Sequence, residues 1–353
     1  MGIAIHYNGI QYEENDLKHY TESHPALIFA RDWLSGQNEF IISTSGSTGK
    51  PKEIVLKRAA MEASANRTLS YFGLKPGNKA LLCMNASTVG SKMMVVRSLL
   101  GGLHLQIADP TPNPFQNIYE SFDFVPLVPL QLKAAIEDPL TNPKLSNVKY
   151  ILLGGAPVDE SLFQLLKTIK PLVYHGYGMT ETCSHIALRL LNGPDPSVAY
   201  EILDGIEVKL SADKSLDIYG DITDHRWIHT NDLVELREGN KFLWLGRKDF
   251  AINTGGHKVH PELVETAIER ILTEINIIQN IQISWIADAK WGQKVVLVTE
   301  GKPLFNWETV RSLLKNLLKN YEIPKSLIVV EKLHKTEAGK RDRTKTDEEI
   351  GGR

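Results

Sequence analysis

The chain has 353 residues, 42% of them hydrophobic, and its 40 basic and 42 acidic side chains leave a net charge of −2. That length accommodates one large domain and one small one, and the near-balance of charge removes the electrostatic case for nucleic acid or an anionic membrane as a partner. Two cysteines, Cys83 and Cys183, are too few for a disulfide scaffold; with no signal peptide and no apolar run near the roughly 18 residues of a membrane span, the expectation is a soluble, cytoplasmic protein.

Residues 41–54 read IISTSGSTGKPKEI, an apolar lead-in to a run of small and hydroxylated residues closed by two lysines. Short apolar runs at 78–86, 103–108, 122–129, 148–155 and 172–178 then alternate with helical spacing at 59–72, 91–101, 130–138 and 158–169. Such alternation predicts layered α/β structure around a largely parallel sheet. From about residue 200 the pattern changes to apolar–polar alternation over 206–220 and 234–246, with turns at Asp213-Lys214 and Gly239-Asn240, and predicts antiparallel hairpins. After Gly246 come a helix at 261–272 opened by Pro261, strands at 281–287 and 294–299, and a helix at 307–319, enough for a small α+β domain. The expected division is 1–245 and 246–353, with a polar, mobile tail from His334.

The loop at 43–52 is not a Walker A loop. That pattern needs a glycine where Thr44 stands and a hydroxyl residue where Pro51 stands. Its residue types still suit a polyphosphate. Gly46 and Gly49 let backbone N–H groups converge on an anion, Ser43, Thr44, Ser45, Ser47 and Thr48 offer hydroxyls, and Lys50 and Lys52 add positive charge. The alternative is a flexible Ser/Gly linker, which needs neither the apolar lead-in nor the lysines.

TSGSTGKPK resembles the signature loop of the acyl-adenylate-forming enzymes: acyl- and aryl-CoA ligases, luciferases and peptide-synthetase adenylation domains. Further segments resemble that family's later motifs in the same order: GGAP at 154–157, YHGYGMTET at 174–182, WIHTNDLVEL at 227–236, GRKDFAINTGGHKV at 246–259 and KTEAGKRDR at 335–343. The resemblance implies that Thr44, Ser45, Gly46, Ser47, Thr48, Gly49 and Lys50 hold the outer phosphates of ATP. Gly155, Ala156, Tyr177 and Gly178 would flank adenine, Thr180 would meet the α-phosphate or the acyl carboxylate, and Glu181 would hold Mg²⁺. Asp232 would accept the ribose hydroxyls, Arg247 would reach ribose or phosphate, Asp249 would be the hinge, and Lys340 would be the adenylation lysine. Glu53 and Asn231 stand where the family usually has glycine. The implied reaction joins a carboxylate to AMP with loss of pyrophosphate. Coenzyme A then takes the acyl group after the small domain rotates, a rigid-body switch.

YGMTETCS is especially similar to the o-succinylbenzoate–CoA ligases of menaquinone biosynthesis, whose substrate is a dicarboxylate. The resemblance makes Ser87, where most relatives carry histidine, and Ser184 and His185, after Glu181, pocket-side candidates, with Lys92 and Arg97 added because one cation of the 85–97 segment would pair with a second substrate carboxylate. The alternative for Lys92 and Arg97 is a surface lysine and a structural salt bridge. Other readings remain open: another aryl- or acyl-CoA ligase, a domain loading a carrier protein, or a relative that binds nucleotide without catalysis. The phosphate loop also begins only 42 residues into the chain, so the large domain is expected to be truncated relative to the family. Either residues 1–40 or a partner, such as a second copy in a homodimer, would then cover the exposed face of the sheet.

Overall fold

The computed structural model describes residues 4–44, 52–334 and 341–351. Its backbone is a thirteen-stranded sheet. The centre is parallel: His104–Ile107, Lys79–Leu82, Phe122–Leu127, Val148–Leu153 and Leu172–Gly178 lie side by side in that order. These strands are largely apolar because helices cover both faces, as parallel crossovers require. Arg58–Phe72 and Val89–Gly101 pack on one face through Met61, Ala65, Leu69, Met93 and Val96. Pro129–Glu137 and Glu160–Leu165 pack on the other through Leu132, Ala135, Ile136 and Leu162. The first two helices both end on a left-handed glycine, Gly73 and Gly102, each at φ 60°, where a side chain would be strained.

Past Leu172–Gly178 the strands turn antiparallel, through His185–Leu190, Tyr200–Ile202, Lys241–Arg247, Ile228–Arg237 and Ser215–Tyr219 to the edge strand Glu207–Leu210. The expected hairpins are present, but they continue the main sheet by hydrogen bonding instead of forming a separate layer. At the tip between Ile228–Arg237 and Lys241–Arg247, Gly239 and Asn240 both take positive φ, 75° and 57°, as a tight primed turn demands.

At the opposite edge, Ala4–Tyr7 runs parallel to His104–Ile107 and pairs with Ile10–Tyr12. The helix Pro25–Leu34 then packs on Val89–Gly101, burying Phe29 and Trp33, with Trp33 stacked on Phe40 at 5.3 Å. Of the two expected ways to cover this face, residues 4–40 supply the first.

The changeover to a second, five-stranded sheet falls at the turn Lys248–Phe250. That sheet comprises Ile252–Thr254, His257–Val259, Ile281–Asp288, Gly292–Glu300 and Ser326–Val330, with the helix Pro261–Glu274 packed against it. Two expectations need correction. The helix beginning at Trp307 stops at Leu314 and not at 319, because Asn316 and Leu317 close tight turns back to Leu313 and Leu314. Residues 341–351, the described part of the tail beyond His334, are not a free polar segment either. Residues Arg343–Glu349 form a helix whose Arg343, 8% exposed, donates two hydrogen bonds to Glu265 at 2.7 and 2.6 Å. Arg341 bonds the same carboxylate at 2.8 Å and Glu269 at 2.7 Å, and Ser284 donates to Asp347. The helix is held by buried ion pairs, which leave no apolar periodicity to read.

Candidate active site

The strands Glu39–Thr44 and Lys52–Lys57 that flank the segment 45–51 pair as an antiparallel hairpin. Phe40, Ile42 and Leu56 bury one of its faces. Thr44 is the last residue of the first strand, paired with Lys52. Ser45, Gly46, Ser47, Thr48, Gly49 and Lys50 lie outside the described residues, as does Lys340. The second strand of the hairpin packs against the short turn Thr180–Thr182. The strand Lys52–Lys57 and the turn that carries Glu181 are therefore neighbours.

The strand Leu172–Gly178 organises the rest. Successive residues alternate between its two faces. On one face stand Tyr177 and His175, and on the other Gly176 and Gly178 let a neighbouring strand close in. At Gly178 a Cβ would fall 2.1 Å from the Ser184 carbonyl oxygen, so no other residue fits. The chain then reverses through Cys183 at φ 61° and returns as His185–Leu190. This reversal leaves Thr180 and Glu181 half-buried at the end of the sheet. No group of three or more metal-ligating side chains gathers among the described residues. A lone carboxylate fits Mg²⁺ delivered with phosphate oxygens, the usual mode of that ion, and does not fit an all-protein metal cage.

Asp232, 8% exposed, is held from two sides: Tyr177 donates its hydroxyl to Oδ2 at 2.8 Å and Trp244 its Nε1–H to Oδ1 at 2.9 Å. Burial and then the Asp232 charge push the Tyr177 hydroxyl well above its ordinary range, so it remains a donor. Arg247 stands directly across the strand pair from Asp232. One of its nitrogens bonds Asp249 at 2.6 Å, while its Nε is buried without a partner among the described residues. Asp249 also accepts from Asn231 at 3.3 Å. Gly155 and Ala156 lie in the turn after Val148–Leu153, which is tied by the Gly154 N–H to the Leu127 carbonyl at 3.1 Å and by His175 Nε2 to the Ala156 carbonyl at 3.1 Å.

Three of the five substrate candidates meet. Arg97, 1% exposed on the helix Val89–Gly101, donates to Ser184 Oγ at 2.8 Å. Ser184 Oγ lies 3.2 Å from His185 Nδ1, and His185 Nε2 lies 3.2 Å from Thr68 Oγ1, which donates to the Ser64 carbonyl. These contacts form one directional chain, Arg97 to Ser184 to His185 to Thr68, if His185 carries its proton on Nε2. Burial and the Arg97 charge hold the His185 imidazolium well below its ordinary range, so the ring is neutral. Arg97 has no carboxylate within ion-pair distance among the described residues. Its Nε is buried and unpartnered, and a second nitrogen faces only the Met94 sulfur at 3.8 Å. Burial alone brings its pKa down to about 9. Ser87 and Lys92 do not join this group. Ser87 is exposed in the turn before the helix, and Lys92 points to the N-terminal helix, 5.6 Å from the centre of the Phe29 ring. Sequence reasoning missed Thr68, whose partner His185 is 117 residues away, and Trp244, which reaches Asp232 across a hairpin.

Residues 18–218 match the family model described as AMP-binding enzyme. The chain is 30% identical to a probable 2-succinylbenzoate–CoA ligase of Mycobacterium tuberculosis, over 86% of this chain and 82% of that one. It is 36% identical to a solved acyl-CoA synthetase (AMP-forming)/AMP-acid ligase II-like protein of Dyadobacter fermentans, with TM-score 0.65 over 96% of this chain and 98% of that one. The o-succinylbenzoate coenzyme A synthetase of Bacillus subtilis, solved with ATP and magnesium ion, shares the fold with TM-score 0.70 at 21% identity, over 86% of this chain and 68% of that one. The chain belongs to the family of AMP-binding enzymes.

Proposed function

We propose that the protein is an ATP- and Mg²⁺-dependent ligase that joins 2-succinylbenzoate to coenzyme A through an acyl-adenylate. The observation that carries the choice of acid is Arg97, a buried guanidinium whose described partners are a hydroxyl and a thioether. Burying a charge without a counter-ion is expensive, and a second substrate carboxylate would supply the missing partner by two parallel hydrogen bonds. The Met94 thioether beside it is a weak acceptor on a flexible side chain, easily displaced. The name of the Mycobacterium relative supports the same acid.

In this reading the substrate's reacting carboxylate attacks the α-phosphorus of ATP and pyrophosphate leaves. The thiol of coenzyme A then attacks the acyl carbon and AMP leaves. Thr180 and Glu181, at the end of the strand Leu172–Gly178, would face the reacting phosphate. Mg²⁺ on Glu181 would neutralise charge developing on the phosphate oxygens. Asp232, held by Tyr177 and Trp244, would accept both ribose hydroxyls as an acceptor fixed before the nucleotide arrives. Residues 45–50 would hold the outer phosphates, and Lys340 would stabilise the first transition state. Rotation about Asp249 would then withdraw Lys340 and bring the segment 253–259 to the thioester site. Small domain and hinge already meet closely: Gly246 takes φ 130° with the Glu262 side chain packed against it.

Exchange of labelled pyrophosphate into ATP, dependent on added 2-succinylbenzoate, tests the adenylation step. Exchange with that acid is the expected result. No exchange with it, alongside exchange with a monocarboxylate, would overturn the choice of acid.

A further inference from the structure

On the far side of the strand Leu172–Gly178 from Arg97 lies a second buried histidine that the reaction above does not use. His175 is 9% exposed. Its Nε2 is 3.1 Å from the Ala156 carbonyl, and its Nδ1 is 2.7 Å from the Tyr200 hydroxyl and 3.4 Å from a guanidinium nitrogen of Arg189. A carbonyl can only accept and a guanidinium can only donate. Both neighbours therefore demand the same tautomer: Nε2 carries the proton and Nδ1 is bare. Burial, reinforced by the Arg189 charge, brings the imidazolium pKa down to about 3, so the ring stays neutral at any working pH. It cannot serve as a proton carrier.

What the ring does hold is the turn 154–156. Gly155 there takes φ 81° and is exposed. Among the described residues, the turn's backbone is tied at its start by the bond from Gly154 to Leu127 and at its end by the bond from His175 to Ala156. Behind His175, Tyr200 stacks on Phe242 at 5.4 Å, and Phe242 meets the Tyr177 ring edge-on at 5.1 Å. Tyr177 is the residue that orients Asp232. One aromatic wall thus supports both the 154–156 turn and the ribose-facing carboxylate.

We infer that His175 is a positioning residue for the nucleotide base, fixing the Ala156 carbonyl and with it the 154–156 turn against which the purine would lie. The inference rests on the adenylation reading above, which puts the base at this turn. His175 would touch no substrate; it would act through Ala156.

Titration calorimetry of the whole protein with Mg-ATP and with Mg-tripolyphosphate tests it. Tripolyphosphate shares the phosphate end but has no base. For His175→Ala the dissociation constant for Mg-ATP should rise about tenfold, as befits one lost anchoring hydrogen bond to a neutral group plus the disorder of the turn. Binding of tripolyphosphate should be unchanged. His175→Gln should restore ATP binding to within about threefold, since an amide can donate to Ala156 and accept from Arg189 at once. Undiminished ATP binding by His175→Ala would overturn the inference, as would equal loss of both ligands or failure of the glutamine variant to rescue. If the wild-type protein bound no ATP, the adenylation reading would fall and this inference with it. If wild type bound ATP and the alanine variant bound it equally well, only the inference would fall.

Discussion

At the scale of single residues, the site is built on a few positions where geometry leaves no choice and one where function opposes stability. Gly178→Ala sets a methyl against backbone that cannot move aside. We expect a loss of about 3 kcal/mol or more in urea unfolding, or no soluble protein, as for other strained close contacts. Gly154→Ala meets nothing within 4 Å and should leave the unfolding midpoint nearly unchanged. Asp232→Ala would strand the buried Tyr177 hydroxyl and Trp244 N–H, at about 1–3 kcal/mol for each unsatisfied group, and should be visible as a lower midpoint alongside weakened ATP binding. Arg97→Met is the opposite case. Removing a buried charge that has no counter-ion among the described residues should raise the unfolding midpoint, and the cost should fall on substrate choice, a common trade at functional sites. Much of this was legible from motifs: Arg97 was named as a cation of the 85–97 segment, Ser184 and His185 from the segment similar to o-succinylbenzoate–CoA ligases, and the three do meet. Thr68 was not, because its partner His185 lies 117 residues away and a helical threonine carries no signal of such a contact. Lys92 was misdirected for the converse reason. It shares a helix with Arg97 but faces the N-terminal helix, and spacing without packing does not decide which side of a helix lines a pocket.

At the scale of elements, the parallel strands and their helices were readable because double-sided burial writes continuous apolar runs and crossovers write helical periodicity. The edge strand Ile10–Tyr12, its neighbour Ala4–Tyr7 and the strand Ser326–Val330 carried too few residues for a period to emerge. The helix Arg343–Glu349 was invisible for a different reason: its anchor is charge. Burial alone would raise the Glu265 carboxyl, but Arg343 and Arg341, with the Ile283 amide, outweigh it and hold the pKa below its ordinary value. A carboxyl lowered on folding contributes stability that is present above its unfolded pKa and lost as the pH falls through the folded one. Glu265→Gln should therefore flatten the acid limb of the pH–stability curve, measured by unfolding between about pH 6 and pH 2, the window in which carboxyls of ordinary and lowered pKa take up protons. Arg343→Ala leaves Glu265 buried with only Arg341 as counter-ion and should cost about 3–5 kcal/mol. Hydrogen exchange should then report the 343–349 helix as unprotected while the main sheet is unaltered. Protection retained on that helix would contradict its anchoring by ion pairs.

At the scale of the whole molecule, two sheets meet at one turn, Lys248–Phe250, with Lys248 bonded back to Asp213 and Glu262 packed on Gly246. In the proposed cycle this joint is the moving part. Lys340→Ala should lower adenylation on the order of 100-fold or more, the scale of a lost transition-state charge contact. The same variant should convert preformed acyl-adenylate to thioester at nearly the wild-type rate. Single-turnover assays of the two half-reactions separate these steps, and equal loss of both would contradict the role assigned to Lys340. In that cycle the acid would be chosen by Arg97, which has no carboxylate partner among the described residues. The most direct measurement is AMP release with ATP, Mg²⁺ and coenzyme A, comparing kcat/KM for 2-succinylbenzoate with that for the same acid lacking its ring carboxylate, in wild type and in Arg97→Met. Wild type should prefer the diacid on the order of 100-fold, and the variant should lose most of that preference while still turning over the monoacid, because one charged anchor for the second carboxylate has gone. An unchanged preference in Arg97→Met, or a wild type that prefers the monoacid, would contradict that role of Arg97.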